Sequence, residues 1–589
     1  MKDILLSQYN KLIHICGMSS NEIQPANSNM MYIIKKSLRD FMHKYENTAI
    51  WCWGNHTEML MADFVFELKN VKYIIDAKPV EKAGYEIVKP EMIRQMNIDG
   101  VIISSFQYRN EIKERIKREF PDIKYLDVYD ALKEKGIELT TEYYRQNHPY
   151  ERYRKINSYK QTLKNTMDKN EKKQTWEELI KLFVIIKDFY CAVKTTEAYL
   201  KQFESRKYED VLQNLKIIQE YQMTAYHRIH KNNVVMFCFD ALRERDLKEG
   251  LMPKLHTNIY NDMYVFEKAY SVSTSTFESL IPAYSLNRDM STKYYKSTVI
   301  QEEDCPFIQE AVRQNRKIYF YTDAIPFVNS NNIHVCNISQ TASEKMWQFA
   351  IDASDEDNGL FYVHILYESH FSYPNPYTDS NLEASGTSIF FDYLEKNGGK
   401  LKTDYVKQHE DALRYLDDIV APKLAEIRAE MILFADHGIA IPKKEQKLQE
   451  ISYPMLTFGN DLIKVPMAIK SRNISIAQNK NLMSLFEINN IVISLLKGDK
   501  YKMPYFNHVK VQRSDIYNPD FKYIYRQLGY QQGLVSFEMF VFETGHKLVI
   551  YRDGVMELYN ENDEIIYNNE TKKELYKQIE NEVTVLEVE

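Results

Sequence analysis

Residues 233–247 read NVVMFCFDALRERDL, and residues 270–284 read YSVSTSTFESLIPAY. The run Val234–Phe239 is apolar throughout and stops at Asp240. A continuous apolar run of this length suits a strand covered on both faces, and open α/β sheets collect ligands at the carboxyl ends of such strands. The second stretch gathers Ser271, Ser273, Thr274, Ser275 and Thr276 just before a helix expected from Phe277 to Ile281. Hydroxyls at a helix start serve as N-caps, or as nucleophiles facing a phosphate or sulfate.

A second strand of the same kind lies almost 200 residues on. MILFADHG (431–438) is an apolar run ending in Asp436, followed by His437 and Gly438. Between the two, KIYFYTDA (317–324) and GLFYVHILYESH (359–370) read as further strands, the latter ending near His370, and Tyr405 to Glu430 reads as one long amphipathic helix. Asp240, Asp436 and His437 offer carboxylate and imidazole donors suited to Zn²⁺, Mn²⁺ or Mg²⁺. Such an ion would lower the pKa of a bound hydroxyl and neutralise charge on a phosphoryl or sulfuryl oxygen.

Upstream, residues 1–46 read as helices. Then TAIWCWG (48–54), VKYIID (71–76), DGVIISS (99–105) and IKYLDV (123–128) alternate with helical segments, a rhythm that predicts a Rossmann-like parallel sheet over residues 47–135. Asp76 falls 22 residues after Gly54, about where a ribose-binding acid belongs, but the turn W-G-N-H-T-E has one glycine instead of three. The segment resembles the Rossmann-like domains of sugar-nucleotide and C-methyltransferase enzymes. That likeness implies a sugar nucleotide at Gly54 and Asp76; a structural or recognition domain is the alternative. Residues 136–231 form a polar, then helical connector, with Thr175 and Glu178 as a capping box opening the helix 175–200. Residues 232–500 then carry the α/β rhythm, and 501–589 a small antiparallel subdomain.

Composition narrows the classes. With 589 residues, 44% hydrophobic and 27% charged, the chain is globular and spans several domains. A net charge of −7, with basic clusters interleaved by acids, argues against a nucleic-acid partner. Six scattered cysteines form no CxxC pair, which excludes zinc-ribbon and disulfide-framework readings. No run of about eighteen apolar residues and no signal-like segment occurs, so the expected compartment is the cytoplasm.

Taken in order, these motifs resemble the alkaline phosphatase/sulfatase superfamily over residues 233 to about 575. NVVMFCFDALR is similar to the opening strand with its metal-binding acid, and FADHG to the Asp-His-Gly metal motif. YVHILYESHFSYPNPY (362–377) looks like the H-x-x-x-x-H-x-x-Y-P segment with one extra residue between the histidines. KVPMAIK (464–470) and HKLVIYRDGVMELYNENDE (546–564) resemble the later strands. The sulfatase pattern C/S-x-P-S-R is absent, whereas TSTFE (274–278) resembles the T-S-x-x-E of lipoteichoic acid synthases and, more loosely, the G-T-x-T of phosphoethanolamine transferases.

The resemblance implies a sulfatase-like catalytic domain in which Asp240, Thr274, Asp436 and His437 hold a metal. Thr274 would be the nucleophile, with Ser273 and Ser275 as alternatives. His370 would bind the phosphate or protonate the leaving group, and His364 and Arg243 are further substrate-side candidates. No histidine lies between Gly438 and Val465, so one metal is expected and a second is doubtful. The implied reaction is transfer or hydrolysis of a phosphoryl-linked group, of phosphoethanolamine or phosphoglycerol type; the pairing with the Rossmann-like domain is consistent with cell-surface polysaccharide assembly. The alternatives are a phosphatase, phosphodiesterase or sulfate-ester hydrolase, and an inactive binding or scaffold protein.

Overall fold

The computed structural model describes residues 1–18, 26–54, 56–57, 60–61, 64–68, 70–77, 86–134, 149–288, 300–322, 328–336, 340–370, 372–378, 400–401, 403–439, 446–447, 459–513 and 536–585. These fall into two compact units. Residues 20–152, with 337–339, make the smaller one; residues 1–19, 153–336 and 340–589 make the larger. The chain opens with helix α1 (Lys2–Cys16), which belongs to the larger unit.

In the smaller unit, α2 (Ala26–Lys44) precedes strands β1 (Thr48–Trp51), β2 (Tyr73–Ile75), β3 (Glu86–Val88), β4 (Gly100–Ile103) and β5 (Lys124–Asp127). All neighbours are parallel, in the order β3-β2-β1-β4-β5. Helices α3 (Arg109–Glu119) and α4 (Val128–Lys133) follow β4 and β5. Two separate apolar clusters cover the sheet, one around Ile50, Ile102 and Leu132 and one around Ala49, Val101 and Ile116. That is why the central strands read as unbroken apolar runs. The expected parallel sheet is present, with one strand more than the sequence suggested. β3 is only Glu-Ile-Val, too short and too polar to announce itself.

The larger unit continues with four helices, α5 (Pro149–Asn165, which belongs to it from Tyr153 on), α6 (Lys169–Ile185), α7 (Phe189–Leu200) and α8 (Arg206–Arg228). Here two expectations are corrected. The segment 175–200 is not one helix: Asp188 caps a new one by accepting the Cys191 N–H at 3.0 Å, after Lys187 turns at φ 58°. Nor does Thr175 open it. Asp168 caps α6, and the Thr175 hydroxyl donates to Glu171 O one turn back. α1 packs along α8, tied by Lys207 Nζ donating to Cys16 O at 3.1 Å.

The main sheet is mixed. Its strands are β6 (Val234–Phe239), β7 (Tyr264–Tyr270), β8 (Lys317–Tyr321), β9 (Ile333–Cys336), β10 (Gly359–Ile365), β11 (Glu430–Ala435), β12 (Met467–Lys470) and β13 (Ala477–Ser484). Their order is β9-β8-β10-β6-β11-β12-β7-β13. β6 is central, parallel to β10 on one side and β11 on the other. All three are buried along their whole length. Helices α9 (Thr276–Ser285) and α10 (Ala342–Ala353) lie between strands. The single long helix expected over 405–430 is instead α11 (Thr403–Ile419) and α12 (Ala421–Glu426), with Glu430 already in β11. Pro422 explains the break, because it has no N–H to give the preceding turn. A four-stranded antiparallel meander closes the unit, β14 (His508–Arg513), β15 (Phe537–Phe542), β16 (Lys547–Tyr551) and β17 (Met556–Tyr559). Among the described residues no helix is long and apolar enough to cross a membrane.

Candidate metal centre

Because β6, β10 and β11 run side by side in register, their ends deliver side chains to one place. Phe239 pairs with Ile365 and with Ala435, so Asp240 and Asp436 leave the sheet together, with His364 one residue short of the end of β10. Asp240 continues the ladder for one bond, its N–H donating to Ile365 O at 2.9 Å. The chain then turns through Ala241 at φ 58°. That turn points the Ala241 N–H at Asp436 Oδ1, 3.0 Å away, and the same oxygen accepts the His437 N–H at 2.8 Å. Two backbone donors thus fix one oxygen of Asp436 and leave Oδ2 free of hydrogen bonds.

One oxygen or nitrogen from each of Asp240, His364 and Asp436 lies within 4.8 Å of the others, and all three residues are buried. His364 Nε2 is 3.4 Å from Asp240 Oδ2, and His437 Nε2 is 3.7 Å from Asp240 Oδ1 and 3.5 Å from Asp436 Oδ2. His437 Nδ1 is 2.7 Å from Gly438 O, which makes Nδ1 the protonated nitrogen and turns the Nε2 lone pair toward the carboxylates. Asp240 Oδ1, Asp436 Oδ2 and His364 Nε2 are buried polar atoms without a hydrogen-bond partner. Leaving such atoms bare in a dry interior is costly, and a divalent cation is the group that satisfies two carboxylates and an imidazole together. The residues therefore fit a metal.

The electrostatics agree. Burial would raise the Asp240 carboxyl, but the imidazoles of His370, His364 and His437 outweigh it and hold it down to about 2. Burial and the neighbouring Asp240 charge push Asp436 up instead. Burial opposes a proton on His437, yet Asp436 and Asp240 raise its pKa. Two carboxylates this close repel each other, and a cation between them relieves that repulsion.

Among the hydroxyls the structure brings in Thr276. Its Oγ1 lies 3.1 Å from Asp240 Oδ2 and 3.2 Å from His437 Nε2. Thr276 is the first residue of α9, with Ser275 as its extended N-cap. Thr274, the expected nucleophile, is fully buried and its hydroxyl meets no partner; Ser273 donates to Glu278 Oε2 at 3.0 Å. The helix starts one residue before the expected Phe277, and the hydroxyl brought to the carboxylates is that of Thr276, two residues beyond Thr274.

The remaining candidates divide. His370 sits in the turn after β10, one-third exposed, with Nε2 4.0 Å from Asp240 Oδ1. Arg243 is held elsewhere: Nη2 donates to Asp246 Oδ1 at 2.6 Å and Nη1 to Asp461 Oδ2 at 3.2 Å. It is an internal clamp and not the substrate contact expected. Gly438 is required by close approach, since a Cβ there would lie 2.1 Å from Asp461 O. In the smaller unit, Asp76 Oδ2 accepts the Trp53 N–H at 2.8 Å, and a side chain at Gly54 would meet open space. Asp76 thus secures the turn after β1.

The larger unit is accordingly an α/β fold with a buried carboxylate–imidazole group and a helix-start hydroxyl at the ends of its central strands. Residues 44–122 match the family model described as C2185-like, N-terminal. No curated protein matches the chain. Solved structures similar to it include a phosphonate monoester hydrolase of Agrobacterium radiobacter, at 11% identity and TM-score 0.41 over 59% of this chain and 95% of that one. A second such hydrolase, from Silicibacter pomeroyi, gives 12% and 0.43 over 59% and 94%. A putative sulfatase from Bacteroides thetaiotaomicron gives 11% and 0.41 over 60% and 91%.

Proposed function

We propose that the larger unit is a metal-dependent enzyme that transfers or hydrolyses a phosphoryl- or sulfuryl-linked group through Thr276. The observation that carries this reading is the Thr276 hydroxyl, held between Asp240 and His437 beside three unpartnered buried ligand atoms. A divalent ion held by Asp240, His364, Asp436 and His437 would supply Lewis-acid charge neutralisation. Thr276 Oγ1 gives its proton to Asp240 Oδ2, 3.1 Å away, and attacks phosphorus, forming a phospho-threonine as the bond to the leaving oxygen breaks. The start of α9 favours the negative charge that gathers there. His370 gives a proton to the leaving oxygen. Water, or an acceptor hydroxyl, then attacks the same phosphorus and releases Thr276.

Within this class we favour phosphoryl transfer of phosphoethanolamine or phosphoglycerol type, supported by the threonine nucleophile, with a role in polysaccharide assembly. Turnover of p-nitrophenyl phosphate, bis-p-nitrophenyl phosphate and p-nitrophenyl sulfate with Mn²⁺, Zn²⁺ and Mg²⁺ tests it. Diester turnover with a Thr276-linked intermediate supports transfer, sulfate turnover supports sulfate-ester hydrolysis, and metal-free, inactive protein sinks the enzyme. A sugar nucleotide for the smaller unit is the second element of the proposal. What supports it is the reversal of strand order between β1 and β4, where open sheets take ligands. Calorimetric titration of the full chain with UDP- and CDP-linked sugars checks it; absence of heat across the panel removes it.

A further inference from the structure

We infer that Glu368 and Tyr153 are positioning residues for His370, so that helix α5 is part of the reaction machinery; this rests on the phosphoryl- or sulfuryl-ester reading above. After β10 the chain makes a tight turn. His370 N donates to Leu366 O at 3.2 Å, Ser369 Oγ to Ile365 O at 3.1 Å, and Tyr373 N to His370 O at 2.7 Å, with Tyr373 itself at φ 55°. These short-range bonds close the turn on itself.

Glu368 ties that turn to the rest of the unit. It is buried to 1% exposure, and its Oε1 accepts the Tyr153 hydroxyl at 2.6 Å and the Ala342 N–H, at the start of α10, at 2.8 Å. Tyr153 stands on α5, 215 residues earlier. Its hydroxyl is also 3.4 Å from that of Tyr415 on α11, which donates to Asp188, the cap of α7, at 2.8 Å. On α10 the buried Lys345 donates from Nζ to His364 O at 2.6 Å, fixing the strand end that carries the other histidine. α5 grips the same loop a second time, through Lys160 Nζ to Pro376 O at 2.8 Å.

A carboxylate in a dry interior is kept only where donors hold it, and three elements converge on this one. The turn around it presents His370 with Nε2 4.0 Å from Asp240 Oδ1. A proton donor displaced by about 1 Å can lose about 100-fold in rate. The helices ahead of the sheet, which the sequence offers as a connector, hold that distance.

The test uses leaving-group dependence. If His370 protonates the leaving oxygen, removing it spares p-nitrophenyl esters, whose anion leaves unaided, and slows alkyl esters. Tyr153→Phe and Glu368→Gln, measured in the full chain with metal content and melting temperature alongside, are expected to follow the same pattern. We expect kcat on an alkyl ester to fall about 10- to 100-fold with KM and bound metal unchanged. Adding Tyr153→Phe to His370→Gln should cost nothing further. Equal losses on both esters, or additive losses in the double variant, overturn the inference and leave only a fold role. Should one variant fail to fold, the other carries the same comparison. Wild-type protein that turns over neither ester overturns the enzymatic reading itself, a different result.

Discussion

Thr276 Oγ1 lies 3.1 Å from Asp240 Oδ2, across 36 residues of chain, while Thr274 two residues away is sealed inside the protein. The relationship makes a sharp prediction. Thr276→Ala is expected to lower kcat by about 10³-fold or more on any ester the protein accepts, as loss of a nucleophile does. Thr274→Val, which keeps the shape and removes a hydroxyl without a hydrogen-bond partner, should leave kcat within about threefold. Steady-state kinetics on the two variants decides, and the reverse ranking returns the role to Thr274.

Metal removal should be visible without any substrate. A cation that binds only the folded state stabilises it by about 2.7 kcal/mol at 100 times its Kd. Exhaustive chelation is therefore expected to lower the melting temperature of the larger unit, with Zn²⁺, Mn²⁺ or Mg²⁺ restoring it. His364→Ala should weaken that rescue at least about tenfold in metal concentration. A melting curve indifferent to chelator and metal rules the centre out.

Gly438→Ala tests the packing behind the centre. The added Cβ would meet Asp461 O at 2.1 Å, a backbone atom that no rotamer can move aside. Overpacking of this kind costs about 1–3 kcal/mol. Because Gly438 N also donates to Leu462 O at 2.8 Å, the shift should reach His437 next door. Urea unfolding should show the lost stability, and metal titration a weaker site.

His56, in the smaller unit, predicts a pH effect. Its Nδ1 is 2.9 Å from Ser104 Oγ and its Nε2 2.5 Å from Tyr129 OH, and burial pushes its pKa down to about 4. The folded pKa lies below the unfolded value of about 6.5, so between those two the unfolded chain binds more protons. Stability is then full above about pH 6.5 and falls as pH drops toward 4, by about 3 kcal/mol at most. Hydrogen exchange of peptides within residues 48–134, compared at each pH with His56→Gln, should show the slope in the wild type and a flatter one in the variant. Parallel slopes would remove His56 as its cause.

Much of this centre was legible because strand chemistry is local. Val234–Phe239 and Met431–Ala435 are unbroken apolar runs, and the polar residues directly after them, Asp240 and Asp436–His437, can only stand at a strand end. The proposed nucleophile was less legible, since choosing Thr276 over Thr274 depends on which residue takes the extended cap conformation, and Ser275 does so at φ −145°. Arg243 was misread although Asp246, which holds it most closely, is only three residues on; its second partner, Asp461, lies 218 residues away, beyond any spacing rule. Asp76 fits a ribose acid by position, and what spacing alone does not show is that one of its oxygens also accepts the Trp53 N–H. Helix α1 gave no sign of its own partner.

That last point bears on how the protein is made. α1 lies ahead of residues 20–152 in the chain, yet its packing surface is α8, which ends at Arg228. On the ribosome the smaller unit has all five strands before α8 exists, so it can close as an autonomous body while α1 waits with Leu5, Leu12 and Cys16 uncovered. The larger unit is discontinuous, and a fragment beginning after the smaller unit would lack the helix that covers α8. A fragment that preserves the larger unit must therefore keep residues 1–18 together with the chain from α5 onward.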